Sequence, residues 1–280
     1  MSIPAGILHA DIYFSTHSYF LEHTTTDFAI ISSVLRLSIK YFVEHLRRYC
    51  IDHLARDCPT SLAEWDRQSD DMTDDSCPYR MYTHPILILD LALELNLHAF
   101  LPSAFYNLAR SSPSKILAGT RRPPPIFSTD GEPKGQGQIV RLSEKHFLQI
   151  LVGREYAQRY IHTFLEAVLC DGPSPHCLNS GKPSAADCSE SFYFIHLNVL
   201  RSICGIAVGR EADPLHTLLQ AAYMLERTDF TDGVSTCGLP LCTACKTDFR
   251  DAVFKARLEV WDLIPEWFGI REPRFAEDMD

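Results

Sequence analysis

Apolar residues recur every three to four positions along most of the chain, which is the spacing of amphipathic helices. Between residues 28 and 41, for example, Ile31, Val34 and Leu35 fall on one helix face. Helices are predicted over residues 28–41, 43–57, 85–96, 143–169, 192–204 and 214–227, and a last one ends in "WDLIPEWFGI". Strand-like alternation is scarce, and "YFSTHSYF" at residues 13–20 is its best example. The pattern predicts a mainly α fold of helical bundle-like subdomains with little or no sheet.

The periodicity stops between residues 111 and 140, where five prolines and four glycines occur. Proline removes a backbone donor and glycine adds conformational freedom, so this segment is predicted to be a hinge between subdomains. On this basis the chain divides into residues 1–57, a helical extension over 58–110, a Pro/Gly-rich hinge over 111–140 and a C-terminal helical domain over 141–272. The last of these carries a cluster of cysteines.

An acidic stretch follows the second predicted helix. Its carboxylates are Glu64, Asp66, Asp70, Asp71, Asp74 and Asp75. A calcium-binding loop would also need a central glycine and a closing glutamate, and both are absent here. We therefore predict a solvent-exposed connector.

Charge and hydropathy narrow the classes of partner. The formal net charge is −10, from 26 basic and 36 acidic residues, which argues against a nucleic-acid-binding protein. The most apolar run, from Pro85 to Leu101, is interrupted by Asp90, Glu94 and His98, so it is predicted to be a core helix and not a membrane span. The first residues lack the basic region of a signal peptide. We therefore expect a cytoplasmic or nuclear protein whose thiols stay reduced.

The stretch "STCGLPLCTACKTDFRDA" holds three cysteines within nine residues. Cys242 and Cys245 have the spacing at which two thiolates bind one tetrahedral zinc ion. Cys177 and Cys188 flank the turn-rich loop "CLNSGKPSAADC" and would supply the other two ligands. We predict that these four cysteines are the metal ligands of a structural zinc site. Reserve ligands are Cys170, His176 and Cys237.

Three other interpretations of these cysteines stay open, and one of them, oxidation to a disulfide, is disfavoured in a reducing compartment. A CxxC motif is also a redox motif when it starts a helix after a strand of a βαβ unit. Reduced cysteines are also often buried simply as small apolar side chains. The sequence does not choose between metal binding and these alternatives.

Two groups of motifs resemble the BTB/POZ-domain protein family of mushroom-forming fungi. The stretch "SSVLRLSIKYFVEHLRRYCIDHL", followed by "PTSLAEWD", is similar to the final helices of that domain, which bend at the tyrosine. The matching residues are Leu35, Leu37, Ser38, Lys40, Tyr41, Leu46, Arg47 and Arg48. The family's helical C-terminal region resembles this chain in the order Cys242, Cys245, Trp261, Pro265, Trp267, Phe268 and Gly269. The resemblance implies that residues 1–57 are the C-terminal part of a BTB/POZ-like domain.

The resemblance also implies a function, which is a noncatalytic protein–protein interaction module. BTB proteins serve as dimerising adaptors in ubiquitin-ligase or transcriptional complexes, so the implied partners are a cullin-type scaffold or a second copy of this chain. No nucleophile elbow, zinc-protease motif or phosphate loop occurs, and we expect no enzymatic activity. The alternative is a small-molecule-binding or hydrolytic enzyme on a helical scaffold, with a pocket around the 111–140 hinge.

Overall fold

The computed structural model describes residues 25–71, 83–122, 138–170, 172–204, 212–231 and 236–270. Helices dominate these residues, so the prediction of a mainly α fold is confirmed. They are α1 (Thr25–Lys40), α2 (Glu44–Asp57), α3 (Leu62–Asp71), α4 (Pro85–Glu94), a 3-10 turn (His98–Phe100), α5 (Leu101–Ala109), α6 (Pro113–Ala118), α7 (Glu144–Val168), α8 (Ala185–Ile203), α9 (Pro214–Tyr223) and α10 (Thr243–Trp267).

The β-structure of these described ranges consists of two short antiparallel ladders. Strand β1 (Thr120–Arg121) pairs with β2 (Ile139–Val140), and β3 (Phe230–Thr231) pairs with β4 (Thr236–Cys237). The candidate strand at residues 13–20 lies outside the described residues. Across the helices described here, none combines the length and hydropathy that crossing a membrane requires.

Helices α1 and α2, each of which the apolar spacing predicts, form a hairpin. Ile31 and Leu35 of α1 and Cys50 of α2 are completely buried, because they share the inner faces of the two helices. The chain turns at Tyr41 and Phe42, where the resemblance implies a bend. Phe42 adopts a φ of +57°, a left-handed conformation that bulky residues rarely take.

The most apolar run of the sequence forms the centre of the fold. Helix α4 is buried on nearly every side, as expected for a core helix, and packs against α5. On α5, the buried Tyr106 hydroxyl donates a 2.8 Å hydrogen bond to Asp213 and accepts one from the backbone of Leu215. A single connected cluster of buried apolar side chains runs from Phe28 to Phe268.

The acidic stretch contains a helix, and the prediction of a connector is wrong for residues 62–71. Ser61 caps this helix, since its hydroxyl accepts from the Glu64 N–H, and the Glu64 carboxylate reaches back to accept from the Thr60 N–H, a variant of the capping box. The helix is fixed by Trp65, which is buried edge-on against Tyr106. Counting carboxylates hid this amphipathic pattern, since Glu64 and Asp66 are neighbours of Trp65 in the sequence and do not share its helix face.

Part of the segment predicted as a hinge has regular structure. Residues 113–118 form α6, because Pro113 stands at the first helical position, where its missing N–H costs nothing. The β1–β2 ladder then joins residues 120–121 to 139–140. Residues 123–137 lie outside the described residues.

The C-terminal helices surround α10. This helix contacts α5, α7 and α9. It ends in a Schellman motif, where Gly269 takes a φ of +59° and the Ile270 N–H donates to the Pro265 carbonyl at 2.8 Å. The "WFG" sequence therefore ends the helix. Trp267 and Phe268 are buried, and the glycine that follows them is required by the left-handed turn.

Candidate metal centre

The start of α10 positions two of the four predicted ligands. Cys242 is the residue that precedes the first helical position, and Cys245 lies in the first turn. The two side chains therefore share the N-terminal end of one helix, where unpaired backbone N–H groups and the helix dipole favour negative charge. Cys245 is fully buried, whereas Cys242 is partly exposed.

The segment between α7 and α8 supplies the other two. Cys177 lies in a chain of tight turns, in which its N–H donates to the Ser174 carbonyl and its own carbonyl accepts from the Ser180 N–H. Cys188 lies in the first turn of α8, because that helix begins at Ala185 and not near Phe192 as predicted. Two alanines with high helix propensity extend the helix toward the loop. A second helix N-terminus thus faces the centre.

The four sulfur atoms converge. All of them lie within 4.8 Å of one another, and the Sγ atoms of Cys177 and Cys242 are 3.9 Å apart. Four sulfurs on a tetrahedral zinc ion with bonds near 2.3 Å would be separated by roughly 3.8 Å. The predicted pairing of the 177/188 and 242/245 cysteines is therefore present in the fold, slightly wider than a metal-bound geometry. These four cysteines could hold a metal ion.

Backbone and side-chain donors surround the sulfurs. Burial by itself raises the pKa of Cys242, but N–H groups of Cys245 and Leu178 donate to its sulfur and bring the pKa down to about 6. Burial raises the pKa of both Cys188 and Cys245. One thiolate is therefore available near neutral pH, and a divalent cation would supply the free energy that deprotonates the buried thiols.

Two polar residues that the sequence analysis did not single out hold the site together. The Asn179 amide donates to the Cys188 sulfur at 3.4 Å, as does the backbone N–H of Cys242. Asp248, one turn beyond Cys245, accepts from the Ser174 hydroxyl and lies 2.9 Å from the His176 ring. Asp248 could have been found from its i+3 spacing, which places it on the same helix face as Cys245.

The reserve ligands lie outside the cluster. Cys170 and Cys237 are exposed, and the His176 ring is committed to Asp248. The redox interpretation required a CxxC that starts a helix after a strand of a βαβ unit. The CxxC does start a helix, but the preceding strand, β4, belongs to an antiparallel two-strand ladder and not to a βαβ unit. The nine cysteines in the described residues are free thiols.

Comparison with known proteins adds no relative. No family model, curated protein or solved structure matches this chain. The BTB resemblance therefore stays a prediction from the motifs quoted above.

Proposed function

We propose that Cys177, Cys188, Cys242 and Cys245 bind a structural zinc ion. The observation that supports it is an all-sulfur donor set drawn from two segments more than fifty residues apart. Thiolates suit zinc, and four protein ligands complete its tetrahedral shell without leaving a position for water or substrate. The ion then ties the 172–184 loop to α10 and contributes stability, not catalysis.

Metal analysis tests this proposal directly. Protein purified without added metal should contain stoichiometric zinc, and a chelator should lower its melting temperature. The Cys170→Ser variant is the matched control, because Cys170 is exposed and outside the cluster. Metal-free protein whose melting temperature is insensitive to zinc and chelator would leave buried thiols as the explanation.

We also propose that the chain is a noncatalytic protein–protein interaction module of BTB type, acting as an adaptor in ubiquitin-ligase or transcriptional complexes. The observation that carries this role is the tip of the α1–α2 hairpin. Leu37, Tyr41 and Phe42 are all exposed there, with 92% of the Phe42 surface open to solvent. A protein partner is the ordinary reason for exposing such a group of apolar side chains.

The conformation of Phe42 supports the same role. A left-handed φ costs a phenylalanine on the order of 1 kcal/mol or more, and a ring that is 92% exposed recovers little of this by packing on the described residues. A strained backbone conformation of this kind is retained where it orients a side chain for binding. We therefore expect Phe42 to be the residue that anchors a partner. By the resemblance, a cullin-type scaffold is the first partner to examine.

The Phe42→Gly variant separates binding from folding. Glycine accepts the left-handed φ without strain, so the variant should be at least as stable as wild type while lacking the aromatic ring. Proteins captured from an extract of the native cell, and a recombinant cullin-type scaffold, should bind wild type and the Val152→Ser control but not Phe42→Gly. Equal binding by all three proteins would contradict the role of the tip.

A further inference from the structure

Helix α8 has two apolar faces. One face is buried in the core and consists of Cys188, Phe192, Ile195, Val199 and Ile203. The opposite face exposes Tyr193, Phe194, Leu197 and Leu200, and Tyr193 keeps 65% of its surface in solvent. A surface helix of a globular protein normally has polar residues on its outer side. The outer face of α8 therefore has the composition of a contact surface.

The exposed side chains follow the spacing of a two-helix seam. Tyr193, Leu197 and Leu200 are separated by four and then three residues, which is the alternation that keeps one stripe facing a partner helix. Phe194 extends the stripe toward β3, where its ring meets Phe230 edge-on at 5.3 Å. The apolar surface is thus continuous from Tyr193 to Leu200, about two turns of α8.

Charge at the two ends of this stripe is opposite in sign. Glu190 lies at the N-terminal end and Arg201 at the C-terminal end, about 16 Å apart along the helix. Both are exposed, and neither forms an ion pair with another residue in the described part of the chain. A helix with an acidic and a basic end is complementary to its own antiparallel copy.

We propose that this chain forms a homodimer through antiparallel pairing of α8 with α8 of a second copy. The pairing places Glu190 beside Arg201 of the second copy, and the twofold symmetry repeats the contact at the other end. The same alignment places Tyr193 and Phe194 of one copy against Leu197 of the other. The inference deepens the proposed interaction role, on which it rests, by naming a second copy as one partner and α8 as its surface.

The dimer should be reversible. Specific stable complexes bury roughly 800 Å² of surface on each partner, and the outer face of one helix offers a smaller area than that. We therefore expect the fraction of dimer to rise with protein concentration, as the apolar seam supplies the affinity and the charges select the antiparallel orientation.

Sedimentation velocity over a concentration series tests the dimer. Wild type should shift from monomer to dimer as concentration rises, and Leu197→Glu should remain monomeric. Val152→Glu on α7, which also places a charge on an exposed apolar position, should dimerise like wild type. Circular dichroism and melting temperature verify that each variant is folded. If Leu197→Glu does not fold, Tyr193→Ser takes its place in the test.

Charge reversal tests the orientation. Glu190→Arg and Arg201→Glu should each weaken the dimer about ten-fold, because each creates two like-charge contacts across the axis. The double variant should recover wild-type affinity. A wild-type monomer at every concentration, a dimer unaffected by Leu197→Glu, or a double variant no better than the single ones would overturn the proposal. Binding that depends on Phe42 would persist in a Leu197→Glu monomer, so failure of this dimer and failure of the adaptor role are distinguishable.

Discussion

The contact between Gly153 and Phe268 gives the sharpest prediction about stability. Gly153 lies in the middle of α7, where alanine would ordinarily be more stable by about 1 kcal/mol. A methyl group at this position would lie 2.1 and 2.3 Å from two carbons of the Phe268 ring, against an optimal separation of roughly 3.5–4.0 Å. The glycine is therefore required by the close approach of the ring.

Phe268 has little freedom to move away. Its ring is fully buried and stacks on Phe105 with centroids 5.6 Å apart, while its carbonyl accepts a hydrogen bond from Gln149 at 3.1 Å. Overpacking of a well-filled core typically costs about 1–3 kcal/mol, and the depth of this overlap places Gly153→Ala at the upper end. After the gain in helix propensity is subtracted, we expect a net destabilisation of about 2 kcal/mol.

Urea denaturation followed by circular dichroism measures this change. The informative control is Gly153→Ala in a Phe268→Leu background, where the smaller side chain leaves room for the methyl group. In that background the substitution should be neutral or stabilising by up to about 1 kcal/mol, so the two sites should be strongly coupled. If Gly153→Ala stabilises the wild-type chain, the packing of the α10 end against α7 is wrong.

Three further predictions concern the cysteine centre. Cys242→Ser should release the metal and lower the melting temperature while leaving the α1–α2 hairpin helical, as metal analysis and hydrogen exchange would show. In metal-free protein the pKa of Cys242 is lowered to about 6, so above that pH the unfolded chain binds more protons than the folded one. The free energy of unfolding should therefore rise from about pH 6 toward the ordinary thiol pKa near 8.5. Urea titrations at several pH values measure this free energy, and a flat or falling profile would contradict the prediction. Hydrogen peroxide should join Cys177 to Cys242 first, because these two residues are partly exposed and their sulfurs lie 3.9 Å apart, whereas Cys188 and Cys245 are buried. Mass spectrometry after alkylation identifies the pair, and a first disulfide within the CxxC would refute the prediction.

The fold class and the candidate ligands could be predicted from the sequence because their signals are local. A helix repeats its apolar residues over a few positions, so the stripes of α1, α2 and α7 are visible without any knowledge of their neighbours. The two cysteine pairs are likewise evident from spacing and from the turn-rich loop between Cys177 and Cys188. Their convergence follows the prediction, while metal binding itself stays a prediction.

The parts that the sequence left undecided depend on contacts between distant residues. A run of carboxylates looks like a connector until Trp65 is seen to pack on Tyr106, forty-one positions away. Asp66, in the same helix, pairs with Arg257 at the other end of the chain. Periodicity cannot supply such information, because it reports only which residues share a face and not what the face meets.

The sequence by itself determined that this protein is helical and which four thiols are candidate metal ligands, since both follow from residue type and short-range spacing. Only the tertiary structure decided that two helix N-termini meet at those thiols, that Asn179 contacts the Cys188 sulfur while Asp248 holds the loop of Cys177, and that α8 has a second apolar face directed to solvent. The physical reason is that solvent exposure and long-range contacts are properties of the packed chain, and they do not exist until distant segments are brought together.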